Sequence, residues 1–502
     1  MMAIQDILVF LFVPQSITHF IELTAIIGLA ILIYRIVIDP YRRLKKLGLA
    51  GPKFKPVIGN IADWGPTGQH LALLEWRKKY GNVFATMFFG TPTVWIGEPT
   101  MVREVMVKSF SNFSNRFPPF GKPISPFDKG VLFLKDDDWK RVRNILITTF
   151  SASKLKQIVP LMKDIDAKFI EELVETNQVD GKVNILDHAG YFSLEVVLAI
   201  IFGIEYESKE QKIKLARTAK DLVEPIQGFL LIIFLLCPSM WKIIEPYFGT
   251  IVQSINKITD LTNEIVKQRR KNLNAGLPCR KDMLQLIVEA GDQEKLSDEE
   301  IISQAIIFFI AGYDTTSNTI AYASYLLATH PEIQDKLYQE ICTKCPDVNS
   351  IDYEILNNLT YLDMVISETL RLYPPGFFSN REVKKEVTIE GVRIPNDSIV
   401  GIPIYTIHHN PQFWPDPEQF IPERFTPEEK AKRNPCCYLP FGDGPRNCVG
   451  MRLALLEVKL ALVSLMQNLE LKTVADTEVP LKLKTGGTLT AANGIWLGLG
   501  TR

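Results

Sequence analysis

Residues 441–450 read FGDGPRNCVG and combine residue types that can hold a metal ion through sulfur. Two glycines and a proline predict a tight loop, and an apolar helical stretch, Leu453–Met466, follows it. Cys448 would therefore lie just before a helix N-terminus, where free N–H groups and the helix dipole favour a thiolate over a thiol. A thiolate presented in this way is a good axial ligand for iron.

A plain structural role for Cys448 is the competing interpretation, because a lone cysteine is more often a small core residue than a ligand. The surrounding sequence pattern distinguishes a ligand from a core residue. F-x-x-G-x-R-x-C-x-G fixes five positions within ten residues, and packing one sulfur atom in a core requires no such pattern.

A second candidate site combines a carboxylate and a hydroxyl in the middle of the chain. Five residues recur at the spacing of one helix face: Ile307, Ile310, Ala311, Asp314 and Thr315. That face is apolar until Asp314 and Thr315, a pair suited to proton transfer at the edge of an apolar site. Taken alone, Thr315 would usually hydrogen-bond back to a helix carbonyl.

Each of three shorter patterns is weak evidence for a function when it is taken alone. Trp139 and Arg143 form W-x-x-x-R, Glu368 and Arg371 form E-x-x-R, and Arg424 belongs to PERF at 422–425. Arg143 alone could be a solvated helix residue. Glu368 and Arg371, one helical turn apart, would usually be a weak surface pair.

Together, and in this order, these motifs resemble those of the cytochromes P-450. The resemblance includes AGYDTT at 311–316 and covers essentially the whole chain. Within the family, the chain looks similar to the branch with the broad-specificity drug- and steroid-oxidising family 3 enzymes and thromboxane synthase. The resemblance implies a mainly α fold with small peripheral β-sheets, in which a single large catalytic domain follows an N-terminal transmembrane helix.

The resemblance also implies haem b (iron protoporphyrin IX) and assigns roles around it. Cys448 would ligate the iron, while Asp314 and Thr315 would deliver protons. The residues expected to bind the cofactor are Trp139, Arg143, Arg381, Phe441, Arg446, Cys448 and Gly450. Glu368, Arg371 and Arg424 would form a structural ion network behind the haem.

The substrate pocket is expected to be roomy and apolar. Its predicted residues are Phe117, Phe120, Ile307, Ile310, Ala311, Gly376 and Phe377. The apolar run at 229–236 corresponds to a region where family members dip into the bilayer near the substrate entrance. For any single phenylalanine, a place in the core is the alternative.

The leading functional interpretation is a monooxygenase that inserts one atom of dioxygen into a lipophilic steroid, fatty acid or xenobiotic. Electrons would come from NADPH through NADPH–cytochrome P-450 reductase, with cytochrome b5 as a further partner that the resemblance allows. The alternative is an isomerase of a lipid endoperoxide that needs no reductase. Such a relative departs from the acid–threonine pattern, whereas Asp314 and Thr315 are intact here. A non-catalytic haem sensor would not need that pair.

Several elements must position these residues. Ser297 and Glu300 form an S-x-x-E capping box before an apolar run that ends near Thr329, where His330-Pro331 stops it. A helix of about 32 residues spans roughly 48 Å, enough to cross a whole domain.

Segments 83–89 and 93–96 flank Gly90-Thr91-Pro92 and predict a β-hairpin. The pattern is dominantly helical from 139 to 341, and strand-like segments return at 387–394.

The N-terminus predicts a membrane anchor. Between Ile7 and Tyr34 the only formal charge is Glu22, and a helix over about 17–38 would cross a hydrocarbon core of about 30 Å. Basic residues follow the span and none precedes it, which places the rest of the chain in the cytosol. A buried core helix is the alternative. We expect an anchor at 1–38, a basic and Pro/Gly-containing connector at 39–60 and a catalytic domain at 61–502, held at the endoplasmic reticulum membrane.

Composition excludes other classes of function. The net charge of −1 gives no basic excess for binding nucleic acid. Seven cysteines in a chain of 502 residues do not form a disulfide framework, which indicates a reducing compartment. Cys342 and Cys345 form a lone C-x-x-C without the second pair that a zinc site needs.

Overall fold

The computed structural model describes residues 15–65, 68–88, 90–118, 125–204, 209–223, 249–277, 282–294, 296–347 and 350–502. Within them the chain is mainly helical with small sheets at the periphery, which confirms the predicted fold class. Phe120 and the apolar run at 229–236 lie outside the described residues.

The first half of the chain contains ten α-helices among the described residues. They are α1 (Gln15–Ile33), α2 (Asp39–Lys46), α3 (Gly68–Tyr80), α4 (Pro99–Arg103), α5 (Asp136–Thr149), α6 (Ala152–Asp180), α7 (Ile185–Val197), α8 (Lys209–Val223), α9 (Gly249–Asn274) and α10 (Met283–Glu294). The second half adds α11 (Asp298–Thr329), α12 (Pro331–Lys344), α13 (Tyr353–Asn357), α14 (Thr360–Leu372), α15 (Ile404–His408), α16 (Pro427–Lys432) and α17 (Met451–Asn468). Helices α7, α11 and α17 contribute much of the main core.

The strands form four small sheets in the described part of the chain. In chain order they are β1 (Val83–Phe88), β2 (Thr91–Ile96), β3 (Val183–Asn184), β4 (Ser379–Glu382), β5 (Val387–Ile389), β6 (Val392–Ile394), β7 (Ile399–Ile402), β8 (Leu469–Thr473), β9 (Leu483–Thr485), β10 (Leu489–Ala491) and β11 (Trp496–Thr501). The sheet orders are β1-β2-β7-β4, β3-β11-β8, β5-β6 and β10-β9.

The predicted hairpin exists, but its second strand starts earlier than expected. Thr91 pairs with Phe88 and Pro92 pairs with Met87, so both residues belong to β2 and not to the turn. Gly90 has a positive φ of 71°, a conformation that glycine adopts without strain. A tighter turn than the sequence suggested therefore joins β1 and β2.

Helix α11 has the bounds that its capping signals predicted. Ser297 accepts a hydrogen bond from the Glu300 backbone N–H at 3.2 Å, and the Glu300 carboxylate accepts one from the Ser297 N–H at 2.9 Å. The helix runs for 32 residues and ends at Thr329. A Cβ atom on Gly312 would lie 2.7 Å from Val197 Cγ2, so glycine allows α11 and α7 to approach closely.

The N-terminal helix leads directly into the folded body of the protein. Apolar side chains of α1 face outward, with Phe20 70% exposed, as expected for a segment that contacts lipid. A short π-helical turn, Tyr34–Ile38, joins α1 to α2. A second helix long and apolar enough to span a membrane, 185–202, is mostly buried and belongs to the core.

Helix α2 is fixed to the rest of the folded chain. Arg43 Nε donates to Asp397 Oδ2 at 2.6 Å, and Leu47 is buried in the core around the first sheet. The Ala85 N–H donates to the Ala50 carbonyl at 2.9 Å. The segment at 39–60, predicted as a connector, is therefore packed against β1 and β2.

Removing residues 1–38 should weaken membrane retention and leave cofactor binding intact, because the contacts of α2 survive the cut. Sedimentation with membranes and the absorption spectrum of the purified protein measure the two properties. A matched variant lacking 1–47 also loses Arg43 and Leu47 and should unfold at a lower temperature. Loss of cofactor from the shorter truncation would make the anchor part of the core.

Candidate functional site

The loop that carries Cys448 points backbone donors at its sulfur. Helix α17 begins at Met451, and the N–H groups of Gly450 and Met451 bond to the Cys448 thiol. The Cys448 N–H donates to the Phe441 carbonyl at 2.8 Å and closes the loop. The sulfur is therefore held at a helix N-terminus, as the sequence predicted.

The glycines of this loop are required by the backbone. Gly442 and Gly444 each have a φ of +70°, where a side chain causes strain. A Cβ atom on Gly444 would also lie 2.0 Å from the Met106 carbonyl oxygen. The loop thus packs tightly against the helical turn that follows α4.

Opposing effects act on the Cys448 thiol. Burial raises its pKa, while the Gly450 N–H and the cations of Arg143 and Arg116 oppose that rise. The Cys448 side chain nevertheless has accessible surface, because it faces an internal cavity. A thiol in this position is ready to lose its proton to a metal ion.

The cavity facing Cys448 measures about 350 Å³ and has mostly apolar walls. Helix α11 supplies Ile307, Ala311, Gly312 and Thr315 to one wall. Further walls come from α5, α7, the Cys448 loop and the start of α17. One cavity thus brings together the cysteine, the predicted threonine and three of the seven predicted pocket residues.

The predicted pocket residues divide into two groups. Ile307, Ala311 and Gly376 line the cavity. Phe377, in contrast, is buried in a separate cluster with Tyr405 and Leu489. The neighbouring Phe378 lines the cavity instead, since successive side chains of extended chain point to opposite sides.

Two further pocket predictions differ from the structure. Ile310 is partly buried against the main core and does not line the cavity among the described residues. Phe117 also lies off the cavity wall, and its backbone exchanges two hydrogen bonds of 3.0 Å with the Asn380 side chain. The sequence pattern placed Ile310 on the same helix face as Ile307 and Ala311, but the apolar face of a helix is only about 100° wide and does not include every residue at this spacing.

Four arginines converge at one end of the cavity without carboxylate partners. Arg116, Arg143 and Arg446 line it, and Arg381 is fully buried beside them. Each has an Nε atom with no hydrogen-bond partner, and none of the four forms an ion pair with any described residue. Burial lowers the pKa of Arg381 well below its usual range, and repulsion from Arg116 and Arg446 lowers it further.

The contacts that these arginines do make fix their orientation. Arg446 Nη2 donates to the Leu134 carbonyl at 2.6 Å, and its guanidinium lies 4.3 Å from the centre of the Trp139 ring. Arg143 donates to Asn447 Oδ1 at 2.7 Å. Burial lowers the pKa of Arg446 to about 9. Several cations held together with free donors require an anion.

The arginine cluster fits haem b, because the two propionate carboxylates of that cofactor would supply the anions that these cations lack among the described residues. Trp139, Arg143, Arg381 and Arg446 are the residues that the sequence assigned to this role. Arg116 was missed, because nothing in its local sequence separates it from a surface arginine. Phe441 and Gly450 also line the cavity next to Cys448.

A buried carboxyl on α17 was missed as well. Glu457 lines the cavity and is only 2% exposed, and burial raises its pKa to about 8. Its hydrogen-bond partner Ser193 donates to the Gly312 carbonyl at 3.1 Å. The sequence offered one indication of this site, which is that Glu457 is a carboxylate within the apolar helical stretch that follows the Cys448 loop.

The acid–hydroxyl pair is split between two sides of α11. Thr315 lines the cavity of Cys448, and its hydroxyl donates to the Ala311 carbonyl at 2.7 Å. Asp314 lines a different cavity and accepts a hydrogen bond from the Thr488 hydroxyl. The two side chains therefore do not share one face, since consecutive helix residues are rotated by about 100°.

The buried ion network has the members that the sequence assigned to it. Arg371 Nε donates to Glu368 Oε2 at 2.7 Å, and Arg424 Nε donates to Glu368 Oε1 at 3.2 Å. Arg371 Nη1 also donates to the carbonyls of His408 and Pro417 at 2.9 and 2.7 Å. The His408 ring in turn accepts from the Leu439 N–H at 2.8 Å. The network thus fixes the chain that enters the Cys448 loop.

Known proteins resemble this chain along nearly its whole length. The family model described as Cytochrome P450 matches residues 49–497. The chain is 37% identical over 469 residues to cytochrome P450 3A31 of Mesocricetus auratus, covering 90% of this chain and 91% of that protein. It is 36% identical over 474 residues to cytochrome P450 3A41 of Mus musculus, with coverage of 91% and 92%. The identity to cytochrome P450 3A7 of Homo sapiens is 36% over 455 residues, with coverage of 89% and 90%.

Replacing Cys448 with serine should abolish the red-shifted absorption band of the reduced, CO-bound protein. That band depends on a thiolate ligand, and serine supplies none. Replacing Cys436, a buried cysteine away from the cavity, with serine should leave the band in place. An unchanged band in Cys448→Ser would remove Cys448 as the ligand.

Replacing Glu368 with glutamine should destabilise the fold by about 3–5 kcal/mol, because it leaves two buried arginines without their counter-charge. Urea denaturation followed by circular dichroism measures the change. Glu386→Gln is the matched control, since Glu386 pairs with Arg393 at 2.8 Å on the exposed surface. Similar denaturation midpoints for the two variants would show that the Glu368 network does not stabilise the fold.

Proposed function

The chain belongs to the cytochrome P450 family and is a haem-thiolate monooxygenase, and we propose that Cys448, Thr315 and the four cavity arginines carry this activity. The observation that supports the assignment is that one mostly apolar cavity joins a cysteine at a helix N-terminus to a cluster of arginines with no carboxylate partner in the described part of the chain. A bound haem supplies the redox chemistry that splits dioxygen and places one oxygen atom in a substrate C–H bond.

The protein's own groups hold and orient the cofactor. Cys448 would ligate the iron, and the N–H groups of Gly450 and Met451 would stabilise the negative charge on its sulfur. Arg116, Arg143, Arg381 and Arg446 would bind the two propionates with Trp139 beside them. Because these arginines carry bonds to the surrounding backbone and side chains, they are already oriented before the cofactor binds.

Thr315 is the residue placed to handle a proton inside the cavity. Its hydroxyl can accept a proton on one side and release its own on the other. The bond to the Ala311 carbonyl fixes the direction of its resting O–H group. The apolar side chains around it exclude water, so that protons arrive by a defined route.

The apolar walls favour a lipophilic substrate, as the family implies. We propose a steroid, a fatty acid or a xenobiotic of similar polarity, which would reach the cavity from the bilayer. The outward-facing apolar helix α1 and the basic residues that follow it support a single-pass anchor with the catalytic domain in the cytosol. The proposed location is the endoplasmic reticulum membrane.

The family requires an external electron donor and dioxygen. We propose NADPH–cytochrome P450 reductase as the donor, with cytochrome b5 as an additional electron carrier. A microsomal anchor would place the enzyme on the same membrane surface as both proteins.

The proposed activity is tested with the full-length protein, reductase, NADPH, labelled dioxygen and an extracted lipid pool. Labelled product that forms only with reductase is the expected result, read by mass spectrometry. Unlabelled, rearranged product formed without reductase would instead show an isomerase and contradict the proposal.

Replacing Thr315 with alanine should divert electrons from product to hydrogen peroxide, because the cavity loses its proton-handling hydroxyl. The ratio of peroxide to NADPH consumed should rise severalfold, consistent with the loss of one general acid–base group. Thr315→Ser keeps the hydroxyl and should preserve coupling. Equal coupling in the alanine variant and the wild type would exclude the assigned role.

A further inference from the structure

The irregular chain just before α5 forms part of the wall of the Cys448 cavity. We call residues 129–134 the wall segment, and two of them, Val131 and Leu132, line that cavity. The segment consists of turns and contains no helix or strand, so no regular set of backbone hydrogen bonds fixes its place. Contacts with other elements must therefore determine where the apolar side chains of this wall lie.

Helix α11 lies directly against the wall segment. A Cβ atom on Gly130 would lie 1.9 Å from Ile307 Cδ1, and Ile307 is itself a residue of the cavity wall. Gln304 lies one turn before Ile307 on the same side of α11, and its side chain is fully buried. The segment and the helix thus meet at a buried polar side chain next to the cavity.

The Gln304 amide joins the segment to the helix by hydrogen bonds of opposite direction. Its Oε1 atom accepts from the Val131 N–H at 2.7 Å, and its Nε2 atom donates to the Lys129 carbonyl at 2.7 Å. The Nε2 atom also donates to the Glu300 carbonyl of α11 at 2.9 Å, which fixes the orientation of the amide. A neutral amide can accept and donate in this way, whereas a carboxylate only accepts and an ammonium group only donates.

The other polar contact between the wall segment and α11 among the described residues is weaker. Lys129 forms an ion pair with Glu299, and the two side chains are 41% and 73% exposed. Water and salt screen a pair with this exposure, so it contributes little to holding the segment. Gln304 is therefore the main polar attachment of the segment to α11.

The opposite side of the wall segment binds Arg446. The guanidinium donates to the Leu134 carbonyl at 2.6 Å and, at 3.4 Å, to the carbonyls of Val131 and Leu132. The segment therefore lies between a glutamine on α11 and an arginine that we propose binds the cofactor. Val131 takes part on both sides, because its N–H bonds to Gln304 and its carbonyl bonds to Arg446.

We propose that Gln304 is a positioning residue for substrate selectivity, which holds the wall segment and thereby the apolar surface of Val131 and Leu132 against a lipophilic substrate. The inference rests on the proposed function, because it requires that the Cys448 cavity holds the substrate beside the cofactor. A wall that stays in one place presents the same C–H bond of a substrate for oxidation at each turnover. A wall displaced by about 1 Å allows other C–H bonds to reach that position.

Replacing Gln304 with leucine keeps an uncharged side chain of similar shape and removes both bonds to the wall segment. The Val131 N–H and the Lys129 carbonyl then lack partners in a buried place, which favours movement of the segment. In the labelled-dioxygen assay with the lipid pool, the ratio of positional isomers among the products should change about fivefold, the effect of one lost hydrogen bond. Lys129→Met removes the exposed ion pair from the same segment and should leave that ratio unchanged.

Gln304→Glu tests the direction of the two hydrogen bonds. A protonated carboxyl group can donate to the Lys129 carbonyl and accept from the Val131 N–H, as the amide does, whereas a carboxylate cannot donate. Burial raises the pKa of a carboxyl group at this position. The product ratio of this variant should therefore match the wild type at low pH and approach that of Gln304→Leu as the pH rises. A ratio like that of Gln304→Leu at low pH would show that these hydrogen bonds do not position the segment.

Hydrogen exchange of the holoenzyme gives a readout that does not depend on turnover. The Val131 amide, followed by mass spectrometry of a peptide that contains the wall segment, should exchange severalfold faster in Gln304→Leu than in the wild type or in Lys129→Met, because it loses its acceptor. Equal exchange in Gln304→Leu and the wild type would overturn the inference. Absence of reductase-dependent labelled product from the wild type would contradict the proposed function instead, so the two failures are distinguishable.

Discussion

The close packing of one long helix against its neighbours constrains the whole interior. Helix α11 crosses the domain in 32 residues, and Gly312 lets it approach Val197 on α7 more closely than any other residue would. Because the helix is continuous, its two sides form walls of two different cavities. Residues next to each other in the chain, such as Asp314 and Thr315, thereby face a polar and an apolar environment.

Buried charge is handled in two different ways around the cofactor cavity. In the Glu368 network, each cation has a carboxylate or carbonyl partner, and the network stabilises the chain leading to the Cys448 loop. In the cluster of Arg116, Arg143, Arg381 and Arg446, buried cations keep unpaired donors. Left alone, such a cluster destabilises the fold, since uncompensated charges repel and lack solvation. Binding of the haem propionates by these arginines would therefore couple cofactor binding to folding stability.

Patterns with a local physical cause were predicted well. The capping box of Ser297 and Glu300 and the stop at His330-Pro331 fixed the ends of α11, because both act through hydrogen bonds within one turn. The Cys448 loop was recognisable because its glycines and the following helix determine the geometry of the sulfur. The turn of the hairpin at 83–96 was predicted to be longer than it is. Proline is typical of turns, whereas Pro92 lies in strand β2 and pairs with Met87.

The sequence by itself determined the ends of the long helix α11, because its capping and stop signals act within one turn. The order of its motifs carried the resemblance that identified the family, predicted Cys448 as the sulfur ligand and predicted the ion network of Glu368, Arg371 and Arg424. The tertiary structure decided which side chains share a cavity. Arg116 and Glu457 reach the cofactor cavity, and Phe377 and Ile310 pack elsewhere, through contacts between segments far apart in the chain. It also separated Asp314 from Thr315, since only the packing of α7, α8 and the β9–β10 hairpin around α11 determines what each face of that helix meets.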